Sequence, residues 1–528
     1  MSANAILAPS RRAADPKTEL FLWQRTLFFR PWYRGAKVIE IGCRDGKYLA
    51  YASAFADEAV GFESDTTYLS SASVRHSNAE YRYSDLIHED YACDVLLGFE
   101  ALEEVDEPYE LLGALKGCTG TLVLSASHTP KGQAEGTDID LTPSHTSRWT
   151  AAEFRKLIET TFPDRKVQFL SQTATWPARL EYGLKRNAVY TIAVIGERPL
   201  PTWPKLGLAM PTLNAERVRS AVLGFSRFYP GEVHFAVVAN APAAEHLEAL
   251  RGLCYDLPEL ITLVESETNL GFGLGCNRGL DVLAKKGAFD LYGVTNDDVL
   301  PAIDCLPQMV SAFIDLQEAG QRPGVVGPVT NSIHGPQQVE IGKYTNFDEM
   351  IELSSAYHLQ HHSAGTPTDR LRGLLMLIDP KCLEEVGGFD PIFGLGNWED
   401  DDHNLRCRLA GYSLWIIDGA FLHHEGSATF KQAGLNYAST IDRNLELICE
   451  KWGVERVEDL FKIDRSTLPL NISLSAIQPA SGHRVKIDNQ VVDLVHQATD
   501  VEFAAFVFEA IKSRPREERL KILEAIAA

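Results

Sequence analysis

The sequence predicts an α/β protein, with two doubly wound α/β domains in tandem and a small helical C-terminal region. Three observations carry this expectation. From about residue 37, and again from about residue 205, short runs rich in Val, Ile and Leu alternate with longer helical patterns. Such alternation marks parallel strands joined by crossover helices. The stretch GERPLPTWPKLG, with its three prolines, separates the two series as a linker. Beyond residue 430, apolar residues recur at helical spacing instead. The boundaries that follow are 1–197, 205–430 and 431–528.

Composition agrees with this plan. At 528 residues, 45% hydrophobic and 23% charged, the chain can bury two to four domain cores. A net charge of −22 and a pI near 5.2 argue against nucleic acid or an anionic membrane as the main partner. No apolar run reaches the length of a membrane span, and the N-terminus MSANAILAPSRRAADP lacks a signal-peptide core. The nine cysteines are scattered and never spaced C-x-x-C, which fits free thiols in a reducing cytoplasm.

In the first series, the aromatic helical stretch TELFLWQRTLFFRPWY precedes the strand AKVIEIG, which runs into the turn GCRDGKYLAYASAF. A strand that ends in glycines and opens a helix brings backbone amides close to a ligand. The strand EAVGFESD ends in Glu63, where a carboxylate can hold ribose hydroxyls. AEYRYSD then ends in Asp85, and CDVLLGF leads into EALEEVDEP. Over about residues 20–195 this series resembles the class I S-adenosylmethionine-dependent methyltransferases, down to SRWTAAEFRKLIETTFP after their fifth strand. The resemblance implies a Rossmann-like fold and a cofactor site at Glu40, Gly42, Gly46, Glu63 and Asp85. Two positions depart from the pattern: Arg44 stands where glycine is common, and Glu104 where many relatives carry histidine.

In the second series, strands end in MPTLNAERV, VHFAVVANAP and LITLVES. In ETNLGFGLGCNRGLDVLAKKG, Asn269 and its glycines are expected to form a turn, with a helix beginning near Asn277. The strand DLYGVTNDDVLP runs out in Asn296, Asp297 and Asp298, a hard oxygen site suited to Mg²⁺ or Mn²⁺. Further on, GGFDPIFGLGNWEDDDHNLRCRLAGY places Glu399, Asp400, Asp401 and Asp402 where the first turn of a helix favours negative charge. Aromatics and glycines crowd this run toward a cleft, and His423 and His424 follow the strand-like SLWIID.

Residues 205–430 together resemble the family 2 glycosyltransferases of GT-A fold. PTLN, NLGFGLGCNRGL, TNDDV, the E-D segment and HHEGSATF match that family's motifs in order. The resemblance implies a nucleotide-sugar site at Pro211, Thr212, Asn214, Asn240, Asn269, Gly271, Phe272, Asn277 and Asp297. It implies a Mn²⁺ or Mg²⁺ site at Asp298 and His424, and an acceptor site at Arg372, Trp398 and Glu399. It makes Asp400 the general base of an inverting transfer, with a glycan or lipid-linked glycan as acceptor. Ala239 replaces an aspartate common in the family, so Asn240 is the residue left to contact the nucleotide.

The segment YHLQHHSAGTPTDRLRGLLML, with His358, His361 and His362, reads as a polar loop over the acceptor cleft rather than a metal site. The amphipathic stretches VVDLVHQATDVEFAAFVFEAIK and PREERLKILEAIA read as an accessory or dimerising helical bundle. The chain is thus expected to be a cytoplasmic, bifunctional glycan-modifying enzyme of bacterial surface polysaccharide synthesis. The alternative is a glycosyltransferase with a degenerate, docking-only methyltransferase fold. A sugar nucleotidyltransferase would need a G-x-G-x-R-L loop that MPTLNAER lacks, and a glycan-binding scaffold would not need the carboxylates.

Overall fold

The computed structural model describes residues 16–128, 149–173, 180–362, 365–426, 437–475, 484–487 and 490–493. The described chain divides into two compact units. One lies within residues 16–203 and takes in 227–230; the other holds the rest from residue 204.

In the N-terminal unit, α1 (Pro16–Phe28) precedes β1 (Lys37–Ile41), α2 (Lys47–Ser53), β2 (Glu58–Glu63), α3 (Thr66–Arg75) and β3 (Glu80–Tyr83). Then come β4 (Val95–Phe99), α4 (Ala101–Glu104), α5 (Pro108–Leu115), β5 (Thr121–Ser127) and α6 (Ala151–Thr161). Strands β6 (Val167–Thr173), β7 (Leu180–Tyr182) and β8 (Ala188–Ile195) complete the sheet. The sheet order is β3-β2-β1-β4-β5-β8-β6-β7. The first five strands are parallel, and their central members are buried along their length, as helices on both faces require. Helix α6 starts on a reciprocal cap: Thr150 Oγ1 accepts from Glu153 N–H while Glu153 accepts from Thr150 N–H. Strand order reverses between β1 and β4, which opens a crevice at their carboxyl ends.

The second unit begins β9 (Leu206–Thr212), α7 (Ala215–Phe228), β10 (Val233–Asn240), α8 (Ala244–Asp256), β11 (Ile261–Ser266), α9 (Gly271–Lys286) and β12 (Leu291–Thr295). It continues β13 (Val299–Pro301), α10 (Cys305–Glu318), β14 (Pro323–Thr330), α11 (Phe347–His361), β15 (Thr366–Thr368) and β16 (Leu375–Ile378). Then follow α12 (Pro380–Val386), α13 (Glu399–Leu409), β17 (Ser413–His424) and α14 (Tyr437–Trp452), with β18 (Arg484–Ile487) and β19 (Gln490–Asp493) pairing on their own. The main sheet runs β11-β10-β9-β12-β16-β14-β17-β13, with β15 against β17. Its core includes Ala209, Ala236, Leu280, Val294, Met376 and Phe389. Here the switch point falls between β9 and β12. Both sheets are thus the doubly wound α/β layers expected of the chain.

Three local expectations are corrected. The glycine stretch is not a turn before a helix at Asn277; α9 already begins at Gly271. Its glycines serve close packing, since a Cβ on Gly275 would lie 2.8 Å from Pro211 and one on Gly279 2.6 Å from Ala209. The histidine segment opens on the last turn of α11, which holds His358 and His361, and only beyond it runs as loop and short strands. Asn346 caps α11 by accepting from Glu349 N–H, and His358 is buried with Nδ1 toward Gly419 O at 3.1 Å. Finally, Gln490–Asp493 is a strand where a helix was expected to start, its β-branched residues pairing with Arg484–Ile487. The remainder of the expected C-terminal bundle, and the dimerising role placed on it, lie outside the described residues, as does SATF of the histidine motif.

Candidate active site

The carboxyl ends of β9, β10 and β12 open into a cavity of about 630 Å³. Pro211 and Thr212 enter from β9, Asn240 from β10, and Asn296, Asp297 and Asp298 from the loop after β12. Asn269, Gly271 and Phe272 line it from the start of α9, and Arg372, Trp398, Glu399, Asp400 and His424 complete the lining. The β-strand pattern accounts for this convergence, because ligands of open α/β sheets sit beyond the carboxyl ends at the switch point.

Asp298 and His424 are far apart in sequence and adjacent in space. The ladder between β13 and β17 pairs Val299 with His424, and Glu425 N–H donates to Asp298 O at 3.0 Å. This register brings His424 Nε2 to 3.4 Å from Asp298 Oδ1. His424 is held on three sides: Nδ1–H donates to Ser332 O at 2.7 Å, and the Asn331 amide bonds its backbone N–H and C=O. Burial opposes charge on both partners, but their mutual attraction wins, lowering the Asp298 pKa and raising that of His424. Asp297 accepts from Thr212 Oγ1–H at 2.6 Å, and burial, then the Asp298 charge, pushes its carboxyl up to about 7.

A divalent cation fits this donor set. Asp298 Oδ1 is buried and accepts no hydrogen bond, and a ring nitrogen whose partner N–H is fixed by a carbonyl is the usual form of a ligating histidine. Among the described residues no three His, Cys, Asp or Glu side chains converge into a cage. Two protein donors suit an ion completed by substrate phosphates.

The four carboxylates that open α13 are all buried, not a solvated cap. Asp400 lines the cavity, with Oδ2 accepting from Gly373 N–H at 3.2 Å and Arg372 Nη1 3.7 Å from Oδ1. Glu399 also lines it; its Oε2 is buried without a hydrogen bond, and burial, then the Asp400 charge, raises its pKa to about 8. Asp401 turns to Arg370 and Arg372, at 2.8 and 2.9 Å. Asp402 faces away, bonded to Arg406 at 2.8 Å and Lys451 at 2.6 Å. Its burial is outweighed by those two cations, which hold its carboxyl down at about 2. Trp398 packs under Arg370, whose guanidinium lies 5.1 Å from the ring centroid.

Two expected nucleotide-sugar residues are not at the cavity. The Asn277 amide is fully buried and clamps Phe389, accepting from its N–H at 2.8 Å and donating to its C=O at 2.7 Å. Asn214 caps α7, its Oδ1 accepting from Glu216 N–H and Arg217 N–H. Asn240 lines the cavity, yet its amide is spent on the loop: Nδ2 donates to Asn269 Oδ1 and Gly271 O, and Oδ1 accepts from Leu270 N–H. His423 is likewise a packing residue. It is buried against Tyr344 Oη at 2.6 Å, and burial holds its pKa down at about 4. Sequence reading missed Asn331, Ser332, Asn444 and Ile441, whose partners or cavity lie far away in the sequence, so no local pattern marks them.

In the N-terminal unit, Gly42 and Gly46 adopt φ of 67° and 77° in the turn after β1. Glu63 accepts from the N–H groups of Arg44, Ser64 and Asp65, all within 2.9 Å. Glu40 is buried with Oε2 unbonded, and burial, then the Asp45 charge, raises its pKa to about 8. Asp85 is exposed and caps its own turn, accepting from Ile87 and His88 N–H. S-adenosylmethionine fits the Glu40 and Glu63 lining, since Glu40 Oε2 lacks the donor that the cofactor's amino group carries.

No family model matches the chain. It is 23% identical over 196 residues to the N-acetylglucosaminyl-diphospho-decaprenol L-rhamnosyltransferase of two Mycobacterium tuberculosis strains, CDC 1551 / Oshkosh and ATCC 25618 / H37Rv. The match covers 34% of this chain and 64% of those relatives, just under two thirds of their length. Among solved structures, the methyltransferase domain of bacterial CtHen1 is similar at 17% identity and TM-score 0.28, over 34% of this chain and 97% of that one. GalNAc-T7 with UDP, GalNAc and Mn²⁺ is similar at 13% identity and TM-score 0.35, over 48% of each chain. The chain is thus similar to a family 2 glycosyltransferase and to methyltransferases, the two resemblances read from its motifs.

Proposed function

We propose that the unit from residue 204 transfers a sugar, with inversion, from a nucleotide-sugar donor to a hydroxyl of a glycan or lipid-linked glycan. The N-terminal unit is read as the S-adenosylmethionine-dependent methylating partner, and the whole as a cytoplasmic enzyme of bacterial surface polysaccharide synthesis. The name of the mycobacterial relatives supports a lipid-linked acceptor, and the nine free thiols support a reducing compartment. No helix among the described residues is long and apolar enough to cross a membrane.

One observation supports the reading: a single cavity is lined by both the Asp298–His424 pair and the Asp400 carboxylate. The strand-end loops hold the nucleotide and its diphosphate. Asp298 and His424 Nε2 are the residues that would hold Mn²⁺ or Mg²⁺, and the ion's chemistry is to neutralise charge on the departing diphosphate. Asp400 accepts the acceptor's hydroxyl proton as that oxygen bonds to the anomeric carbon. The bond from that carbon to phosphate breaks, and the nucleoside diphosphate leaves with the electron pair. Attack by that oxygen from the face opposite the leaving group, in a single displacement, gives inversion. Burial, then the Asp298 charge, raises the Asp297 carboxyl to about 7, and burial, then the Asp400 charge, raises Glu399 to about 8, so both carry less than full negative charge toward the diphosphate.

The test is Asp298→Ala in the full chain. The variant is expected to lose Mn²⁺-dependent donor hydrolysis and the Mn²⁺-dependent part of nucleotide binding while keeping its far-UV spectrum. Unchanged Mn²⁺ dependence overturns the assignment of this pair.

A further inference from the structure

The two departures from the methyltransferase pattern turn out to be partners. Arg44 Nε donates to Glu104 Oε1 at 2.9 Å, and Nη2 bonds the same oxygen. Nη2 also reaches Glu100 Oε2 at 3.3 Å. Glu100 is anchored from behind by the fully buried Arg25, whose Nη1 donates to Glu100 Oε1 at 3.0 Å and whose guanidinium lies 3.9 Å from the Tyr190 ring centroid. Arg44 follows β1, and both glutamates follow β4. These are the strands between which the sheet order reverses, so the ion pairs bridge the crevice where such a sheet takes its ligand.

The bridge lies directly on the glycine turn. A Cβ added to Gly42 would meet Glu104 Oε2 at 3.5 Å. Arg44 itself sits at φ 50°, a conformation at home to glycine and strained for a long side chain. Its side chain and that of Glu104 are each about a quarter exposed, so water reaches the pair and a ligand can compete for it. Glu40, Glu63, Glu100 and Glu104 gather around Arg44, with Arg25 behind Glu100.

We propose that Arg44 and Glu104 form a latch across the cofactor crevice, which S-adenosylmethionine opens by setting its own cationic groups among the carboxylates in place of the guanidinium. This rests on reading the N-terminal unit as a binder of that cofactor. The latch makes affinity a property of an internal competition. The demethylated product, S-adenosylhomocysteine, lacks the sulfonium charge and competes with Arg44 less well.

Calorimetric titration of the full chain with S-adenosylmethionine and S-adenosylhomocysteine tests this. Arg44→Gly removes the latch and its backbone strain, and Arg44→Asn removes the charge with a residue that tolerates the same φ. Glu100 keeps Arg25 in either variant. An open form populated at roughly 0.1–10% lowers apparent affinity by that fraction, so both variants are expected to bind S-adenosylmethionine roughly tenfold tighter or more. Release of the latch is expected to tighten S-adenosylhomocysteine as well, since both ligands need the open form, and S-adenosylmethionine further, because its sulfonium no longer meets a like charge. If wild type and variants bind equally, the latch is wrong while the cofactor reading stands. If none binds at millimolar cofactor, the latch and the cofactor reading fall together.

Discussion

Asp400 and Asp402 are two positions apart on α13 and meet opposite surroundings. Residues two apart on a helix lie about 200° around the axis, so when one faces the cavity the other faces the interior. Asp402 is consumed by Arg406, Lys451 and the Trp452 indole, and Asp401 by two arginines, which leaves Asp400 and Glu399 for substrate. Asp400→Asn preserves size and the bond from Gly373 but cannot take a proton. Turnover is expected to fall by roughly 10²–10⁴-fold with nucleotide affinity little changed. A variant with near wild-type turnover would remove Asp400 from the role. Glu399 is testable by pH. Its folded pKa of about 8 lies above its ordinary 4.5, so the folded state binds more protons between those values. Wild-type stability therefore falls as pH rises through that window, by up to roughly 1.4 kcal/mol per unit. Glu399→Gln abolishes this contribution, so its melting temperature relative to wild type should climb from pH 5 to pH 8. A difference independent of pH would mean that Glu399 is ionised throughout. The acidic run stood out in the sequence, but nothing local told its four members apart.

The turn that aims Glu399 and Asp400 is itself strained, with Asn397 and Trp398 both in the left-handed region at φ 74° and 73°. A bulky residue there is an outlier that its surroundings must enforce. Helix α14 does so: Asn444 Nδ2 donates to Phe393 O, Gly396 O and Asn397 O, and Lys451 bonds both Asp390 and Asp402. Leu447 and Ile448 pack on Phe393 and Leu405 beneath it. This helix belongs to the 431–528 region expected to be helical, and it lies in the same unit as the cavity, which Ile441 helps line. Asn444→Ala leaves three turn carbonyls short of a donor. It is expected to cost about 1–3 kcal/mol in urea unfolding and to lower turnover more than nucleotide affinity. Full activity with unchanged stability would show that the turn holds itself.

At the scale of the whole chain, alternating buried runs and helical patterns, with a proline-rich break between them, were enough to predict two doubly wound sheets. That information is local, because hydrophobic periodicity and turn chemistry act within a few residues. The same locality placed Thr212, Asn240, Asp297 and Asp298 at strand ends, where the sheet topology makes a cavity. It misjudged Asn277 and Asn214, which carry motif letters but spend their side chains on Phe389 and on a helix cap. What only the tertiary structure decided are the pairings across long separations. The Asp298–His424 pair was expected from motif resemblance, but its geometry comes from the β13–β17 register. The clamp of α14 on the acidic turn and the Arg44–Glu104 pair over the glycine turn had no sequence signal. Each depends on which strands and helices become neighbours and in what register, and no short window of sequence contains both partners.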